Sequence, residues 1–330
     1  MSTTKLYTLS TGAKLPAVGL GCWMGAEGEN NDASGSVNEE TYTMVRRGVE
    51  AGYRHFDTAS GYGNEEAVGR ALRDSVLARE EYFLTTKLGN VDHHRVKEAL
   101  DRSLKAFGLE YIDLYLMHWP QAIIDGSCVP YGQSPTFSET WTDMEALLST
   151  GKVKSIGVSN FSIKNLEVLL QTAKVVPAVN QCEGHPYLPN HALAAYCASK
   201  GIQMTAYSPI GQSASSPVLH DPLTQRLASK YNQPAGSVLL SWGVQRGWAV
   251  VPKSSNPARM RANLAVFELE KQDMDALDVL HKEPGKASHT AQYQSLCEYQ
   301  LTPTSPPDVL RTWNVKEEFG WDYPLFIPKE

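Results

Sequence analysis

The stretch YRHFDTASGYGNEEAVGRALRDSVLAREEYFLTTKLGNVDHHRVKEALDRSLKAFGLEYIDLYLMH, residues 53–118, decides the fold. It holds three short runs rich in apolar, aromatic and β-branched residues, at 53–57, 82–87 and 112–118, with an amphipathic stretch between each pair. The repeat of roughly thirty residues is that of one strand-plus-helix unit. A parallel neighbour strand needs a crossover connection, and a helix supplies it, so this alternation predicts a parallel sheet. Working outward, runs at 18–21, 155–159, 178–182, 203–207 and 249–253 bring the number of strands to eight. Eight strands predict a closed (β/α)₈ TIM barrel of class α/β rather than an open doubly wound sheet.

The dinucleotide fingerprint of an open sheet is missing. Its nearest match, GLGCWMG, puts Met24 where a third glycine would have to stand, which denies the backbone its close approach to a pyrophosphate. Ahead of the first strand, residues 5–9 and 14–18 flank Ser10-Thr11-Gly12 and predict a β-hairpin across the barrel's bottom. Asp92 is expected to cap a helix with Val96, Leu100, Leu104 and Phe107 on one face and Gly108 just past its end. Gly151 and Gly201 end two others. Asn38 and Asn64, each followed by two glutamates, are expected as N-caps, and Pro257 as the first helical residue after Asn256. From about Pro284 the chain is too long for a barrel remainder. With Trp313, Phe319, Trp321, Tyr323 and Phe326 it is expected to form a long C-terminal loop over the active-site face. No linker interrupts the chain, so residues 1–330 are read as a single domain.

Composition narrows the function classes. A chain of 330 residues with 42% hydrophobic content has ample material for a core, and a net charge of -6 provides no basic field for a nucleic acid or an anionic membrane. Five widely spaced cysteines without a C-x-x-C pair suit a reducing compartment, and residues 1–16 lack a signal-peptide core; a cytoplasmic location is expected. No Walker A, HExxH or EF-hand pattern is present, and no metal site is expected.

In a barrel, reacting groups gather at the carboxyl ends of strands. Asp57 ends the second strand, Tyr62 lies in the loop that follows, Lys87 ends the third and His118 the fourth. A phenol beside an ammonium that a carboxylate orients is a proton donor, because the cation favours the phenolate and lowers the phenol's pKa. Taken singly, a strand-end Asp and Lys are more often a structural ion pair and a buried His a core residue. Their arrival at three successive strand ends favours chemistry. The neighbours His93 and His94 point apart on a helix and are read as solvated. Lys253, Ser254 and Arg259, just after the eighth strand and on the first turn of a helix, would offer a phosphate two cations and free backbone donors.

Three segments, residues 52–72, 112–120 and 251–263, resemble the signature segments of the aldo-keto reductases, and the likeness covers nearly the whole chain. The resemblance implies a barrel that binds NADPH/NADP+ in extended form without a Rossmann domain. It implies Tyr62 as general acid, Lys87 and Asp57 as its tuning residues, and His118 as the group that orients the carbonyl. Ser159, Asn160 and Gln181 match positions that bond the nicotinamide carboxamide, Tyr207 matches the stacking aromatic, and Ser208 and Ile210 begin the segment over the pyrophosphate. Lys253, Ser254, Arg259 and Asn263 match positions around the 2′-phosphate and adenine. Ala262 departs from the Glu or Gln that many members carry. Trp23 and Trp119 match substrate-pocket positions, Tyr53 is a poorer candidate, and the tail from Cys297 would close one wall; the loop at 25–36 is longer than usual. The implied function is reduction of aldehydes, sugar- or glyceraldehyde-like among them, to primary alcohols. The alternatives are a polyol or glycerol dehydrogenase working oxidatively, or a redox-sensitive binding protein like the β subunits of potassium channels. The expected partner is a small carbonyl or alcohol, and the expected state a monomer.

Overall fold

Side chains alternate across a strand, and the fourth barrel strand shows how that builds two cores. Its Leu114 and Leu116 join one apolar cluster, while Tyr115 and Met117 join another, larger one. The first cluster lies inside the barrel and the second between the sheet and its helices. The structure, a computed structural model, describes residues 5–24, 36–287, 313, 320 and 321.

A hairpin of β1 (Leu6–Thr8) and β2 (Lys14–Pro16) precedes the barrel. The barrel strands are β3 (Leu20–Gly21), β4 (His55–Asp57), β5 (Phe83–Leu88) and β6 (Ile112–Met117). A small hairpin of β7 (Ile123–Ile124) and β8 (Ser127–Cys128) follows, and then β9 (Val153–Ser159), β10 (Val179–Glu183), β11 (Gln203–Tyr207) and β12 (Ala249–Val250) complete the barrel. All eight barrel strands pair in parallel in the order β12-β11-β10-β9-β6-β5-β4-β3. A parallel bridge between Val18 and Val250, with Gly19 N donating to Val250 O at 2.8 Å and Gly21 N to Pro252 O at 3.0 Å, closes the ring. At that seam a Cβ on Gly21 would fall 2.7 Å from Val251 O, so the first strand needs glycine to approach the eighth.

The helices are α1 (Ser36–Ala51), α2 (Glu65–Arg73), α3 (Val96–Phe107), α4 (Phe137–Leu147), α5 (Ile163–Leu170), α6 (His191–Ser199), α7 (Pro217–His220), α8 (Pro222–Tyr231), α9 (Ala235–Gln245), α10 (Pro257–Leu264) and α11 (Lys271–Val279). Leu9 and Leu15 of the N-terminal hairpin pack onto Phe83, Leu114, Leu116, Ala178, Val179 and Ala249, and so plug the end of the barrel where the strands begin. Fully buried Leu15 contributes about 2–5 kcal/mol on the scale of a Leu→Ala change. No helix among the described residues is long and apolar enough to cross a membrane.

Several local expectations are corrected. Asp92 lies in a 3₁₀ turn and caps nothing; its carboxylate accepts from Arg95 Nε and Arg102 at 2.6 Å each, and α3 starts after Arg95. Asn38 lies inside α1, which begins at Ser36. His93 is buried, not solvated: its Nδ1 meets Thr140 Oγ1 of α4 at 3.2 Å, and burial pushes its pKa down to about 4. The hairpin of β7 and β8 was not anticipated, although Asp125-Gly126 between two isoleucines and a serine is a type I′ signal, and both residues have positive φ. Most of the expected tail, the loop at 25–35 and Cys297 lie outside the described residues. Trp313 is described: it is buried, donates from Nε1 to Val129 O at 2.7 Å and packs edge-on against Tyr131.

Candidate active site

On β4, His55 and Asp57 face the interior together, and on β5 so do Phe83, Thr85 and Lys87, because the period of a strand is two. This register brings the Lys87 Nζ to 2.6 Å from Asp57 Oδ1 and 2.8 Å from Thr58 O, with both side chains almost completely removed from solvent. Burial acts to lower the Lys87 pKa, but the negative charge of Asp57, foremost, and the hydrogen bond to it help hold it above the ordinary value. The ammonium is therefore charged. The second Asp57 oxygen, Oδ2, accepts from Gln181 Nε2 at 2.6 Å.

Tyr62 ends a 3₁₀ turn, Ser60–Tyr62, that Gly63 terminates at φ 66. The turn is pinned to β5 by Ser60 Oγ, which donates to Lys87 O at 2.9 Å. The Tyr62 ring meets the His118 ring edge-on, centroids 5.7 Å apart, and Lys87 Nζ stands 5.3 Å from the Tyr62 centroid. Burial raises the Tyr62 pKa, the Lys87 cation lowers it and Asp57 raises it again, for a net value above the ordinary one. The expected Lys87 effect has the stated sign, but burial wins. The phenol is thus kept protonated at neutral pH. His118 is pushed down to about 3 by burial and then by Lys87, so its imidazole is neutral and keeps one N–H to donate.

Ser159 and Asn160 leave β9 beside Gln181 of β10 and Tyr207 of β11. Ser159 Oγ donates to Gln181 O at 2.8 Å, Asn160 Nδ2 to His118 O at 3.0 Å, and Tyr207 OH to Asn160 Oδ1 at 2.7 Å. The four residues form one network joined to His118 and, through Gln181, to Asp57. Ser208, at φ 46, opens a turn closed by Gly211 N donating to its carbonyl, and half-buried Ile210 follows. Trp119 is buried directly after His118, and Trp23 is half-buried after β3. Tyr53 lies fully buried in the outer core.

A second group sits at the exit of β12. Lys253 and Arg259 are exposed and have no ion-pair partner among the described residues, while Ser254 and Asn263 are buried. The expectation of free backbone donors is corrected: Asn256 Oδ1 already accepts from Ala258 N and Arg259 N, both at 3.0 Å. Side chains are left to meet an anion. Two unpaired cations beside a hydroxyl suit a phosphate, and amides, a hydroxyl and a half-buried tyrosine suit a ring bearing a carboxamide, so this donor set fits a nicotinamide dinucleotide phosphate.

The profile of the Aldo/keto reductase family matches residues 17–282. The chain belongs to this family. Glycerol 2-dehydrogenase (NADP(+)) from Saccharomyces cerevisiae is 44% identical over 86% of this chain and 93% of its own. Aldehyde reductase YPR1 of the same yeast is 42% identical over 84% and 91%. A Bombyx mori aldo-keto reductase solved in complex with NADP superposes with a TM-score of 0.80 at 33% identity, covering 91% of this chain and 98% of that one.

In this aldo/keto reductase, sequence reasoning missed what Asn64 does. It stands at the N-cap position of α2, as expected, yet its side chain caps nothing; Oδ1 accepts from Thr58 Oγ1 at 2.6 Å and Nδ2 donates to Cys22 O at 2.7 Å. Its only signal was adjacency to the Tyr62 turn. The Gln181 to Asp57 bond was likewise unforeseen, since it spans 124 positions of sequence.

Proposed function

We propose that this aldo/keto reductase reduces aldehydes, sugar- or glyceraldehyde-like ones among them, to primary alcohols with NADPH, with Tyr62 as the proton donor. The observation that carries the reading is the buried Lys87–Asp57 pair set against the Tyr62 and His118 rings at one strand-end mouth. A nicotinamide cofactor held there would supply the hydride that the carbonyl carbon takes up. The protein does the rest. His118, neutral, donates a hydrogen bond to the carbonyl oxygen and holds it near Tyr62. As that oxygen gains negative charge, the phenol transfers its proton, and the resulting phenolate is stabilised by the Lys87 cation. Asp57 holds Lys87 charged and in place. Solvent then returns a proton to Tyr62.

Ser159, Asn160 and Gln181 would hold the carboxamide, Tyr207 the ring face, and Lys253, Ser254 and Arg259 the 2′-phosphate, with Asn263 near the adenine and Ser208 and Ile210 over the pyrophosphate. Trp23 and Trp119 would line the substrate pocket. We place the enzyme in the cytoplasm as a monomer. The four cysteines among the described residues are free and buried, which supports a reducing compartment, and a net charge of -6 argues against nucleic acid or anionic membrane as partner. Initial rates followed by nicotinamide absorbance, NADPH against NADH, over aldehydes, aldoses, ketones and polyols test the proposal. Fastest turnover of aldehydes with NADPH is expected; no turnover of any carbonyl would overturn it.

A further inference from the structure

We propose that Asn64 is the positioning residue that sets the Tyr62 phenol against Lys87 and His118; the inference rests on the reading of Tyr62 as proton donor. The loop from Thr58 to Asn64 carries Tyr62 at the end of its 3₁₀ turn and has to hold a ring in one place. Its two ends are joined by a side-chain bond, Thr58 Oγ1 donating to Asn64 Oδ1 at 2.6 Å, and both residues are buried. The other half of the same amide, Asn64 Nδ2, donates to Cys22 O at 2.7 Å, and Cys22 N in turn donates to Asp57 O at 2.8 Å. Asn64 thus ties the Tyr62 loop to the exits of β3 and β4 at once. The next residue, Glu65, adds a tie to β5: Thr86 Oγ1, adjacent to Lys87, donates to Glu65 Oε1 at 2.6 Å.

The diversion of Asn64 from capping is the informative feature. An asparagine at this position ordinarily accepts from the first-turn N–H groups and stabilises the helix by about 1 kcal/mol. Here that stabilisation is forgone, and both polar ends of the amide serve the loop. Inside the barrel mouth, the Tyr62 ring stands 5.3 Å from Lys87 Nζ and 5.7 Å from the His118 ring, so a shift of about 1 Å changes both relationships.

The test compares wild type with Asn64→Ala and Thr58→Val, and runs Tyr62→Phe alongside. We expect each of the first two to lower kcat by roughly ten- to a hundredfold, while the dissociation constant for NADPH, read by fluorescence titration, stays within about twofold. We also expect the alkaline limb of the kcat profile to move to higher pH, because a phenol drawn away from Lys87 loses the interaction that lowers its pKa. Unchanged kcat and an unmoved limb, with only a lower Tm, would show Asn64 to be structural and overturn the inference. If Asn64→Ala does not fold, Thr58→Val, which leaves the bond to Cys22 in place, reads the same limb, and an unmoved limb there overturns the inference equally. Retained turnover in Tyr62→Phe would instead overturn the reading of Tyr62 itself.

Discussion

Gln181 Nε2 donates to Asp57 Oδ2 at 2.6 Å, so a residue proposed for the cofactor and a residue proposed for proton transfer share one buried carboxylate. Hydrogen bonds to charged groups contribute about 1.5–3 kcal/mol, and losing one here leaves a carboxylate oxygen buried. Gln181→Leu is therefore expected to lower the stability of the cofactor-free protein by a similar amount, besides weakening nicotinamide binding. Chemical denaturation without cofactor checks this, and an unchanged midpoint would contradict the bond.

Lys87→Met removes the cation that faces both Asp57 and the Tyr62 phenol. Turnover should fall by about 10²–10⁴-fold, the range of general acid assistance, and removing one partner of a buried pair should cost about 3–5 kcal/mol of stability. Burial already raises the Tyr62 pKa and Lys87 opposes it, so the residual activity should persist to higher pH than in wild type. A pH–rate profile identical to that of wild type would show that Lys87 does not tune Tyr62.

Arg259→Ala tests the phosphate site. Because Asn256 occupies the backbone donors of Ala258 and Arg259, the side chains of Lys253, Ser254 and Arg259 would carry the discrimination in the proposed site. Loss of one charge-assisted bond should weaken NADPH by roughly ten- to a hundredfold and leave NADH nearly unaffected. Equal losses for both cofactors, measured by fluorescence titration, would mean that Arg259 does not meet the 2′-phosphate.

Stability should fall on mild acidification. Burial, as the largest cause, pushes His55 and His93 down to about 4 and His118 to about 3. In the unfolded chain these groups take up protons near their ordinary value of 6.5, so below that pH the unfolded state binds more protons than the native one. Stability is thus fully present above about pH 6.5 and declines towards pH 4, each histidine withdrawing at most about 1.4 kcal/mol per pH unit. Urea unfolding at pH 7, 6 and 5 measures it. A flat dependence across that range would contradict the buried, neutral state of the three imidazoles.

The barrel was legible because period-two alternation and helix length are local. The same alternation put Asp57 and Lys87 on one face of adjacent strands, and register did the rest. What escaped was set by tertiary contact. Asp92 looks like a cap until Arg102, ten residues on, claims its carboxylate. His93 looks solvated until Thr140 of α4 covers it. Asn64 has the right residue type at the right helix end, and only the fold brings Cys22 O within reach of its amide. The Asp125-Gly126 hairpin, by contrast, carries a local signal, but its two-residue strands fall outside the thirty-residue spacing of the barrel units.

The most direct test of the whole account is the initial rate of aldehyde reduction by Tyr62→Phe with saturating NADPH, alongside the NADPH dissociation constant of the same variant. Deleting one phenolic oxygen should lower turnover by about 10²–10⁴-fold and leave NADPH affinity near that of wild type. Turnover close to wild type, with the cofactor bound normally, would contradict the assignment of Tyr62 as the acid that completes the reduction.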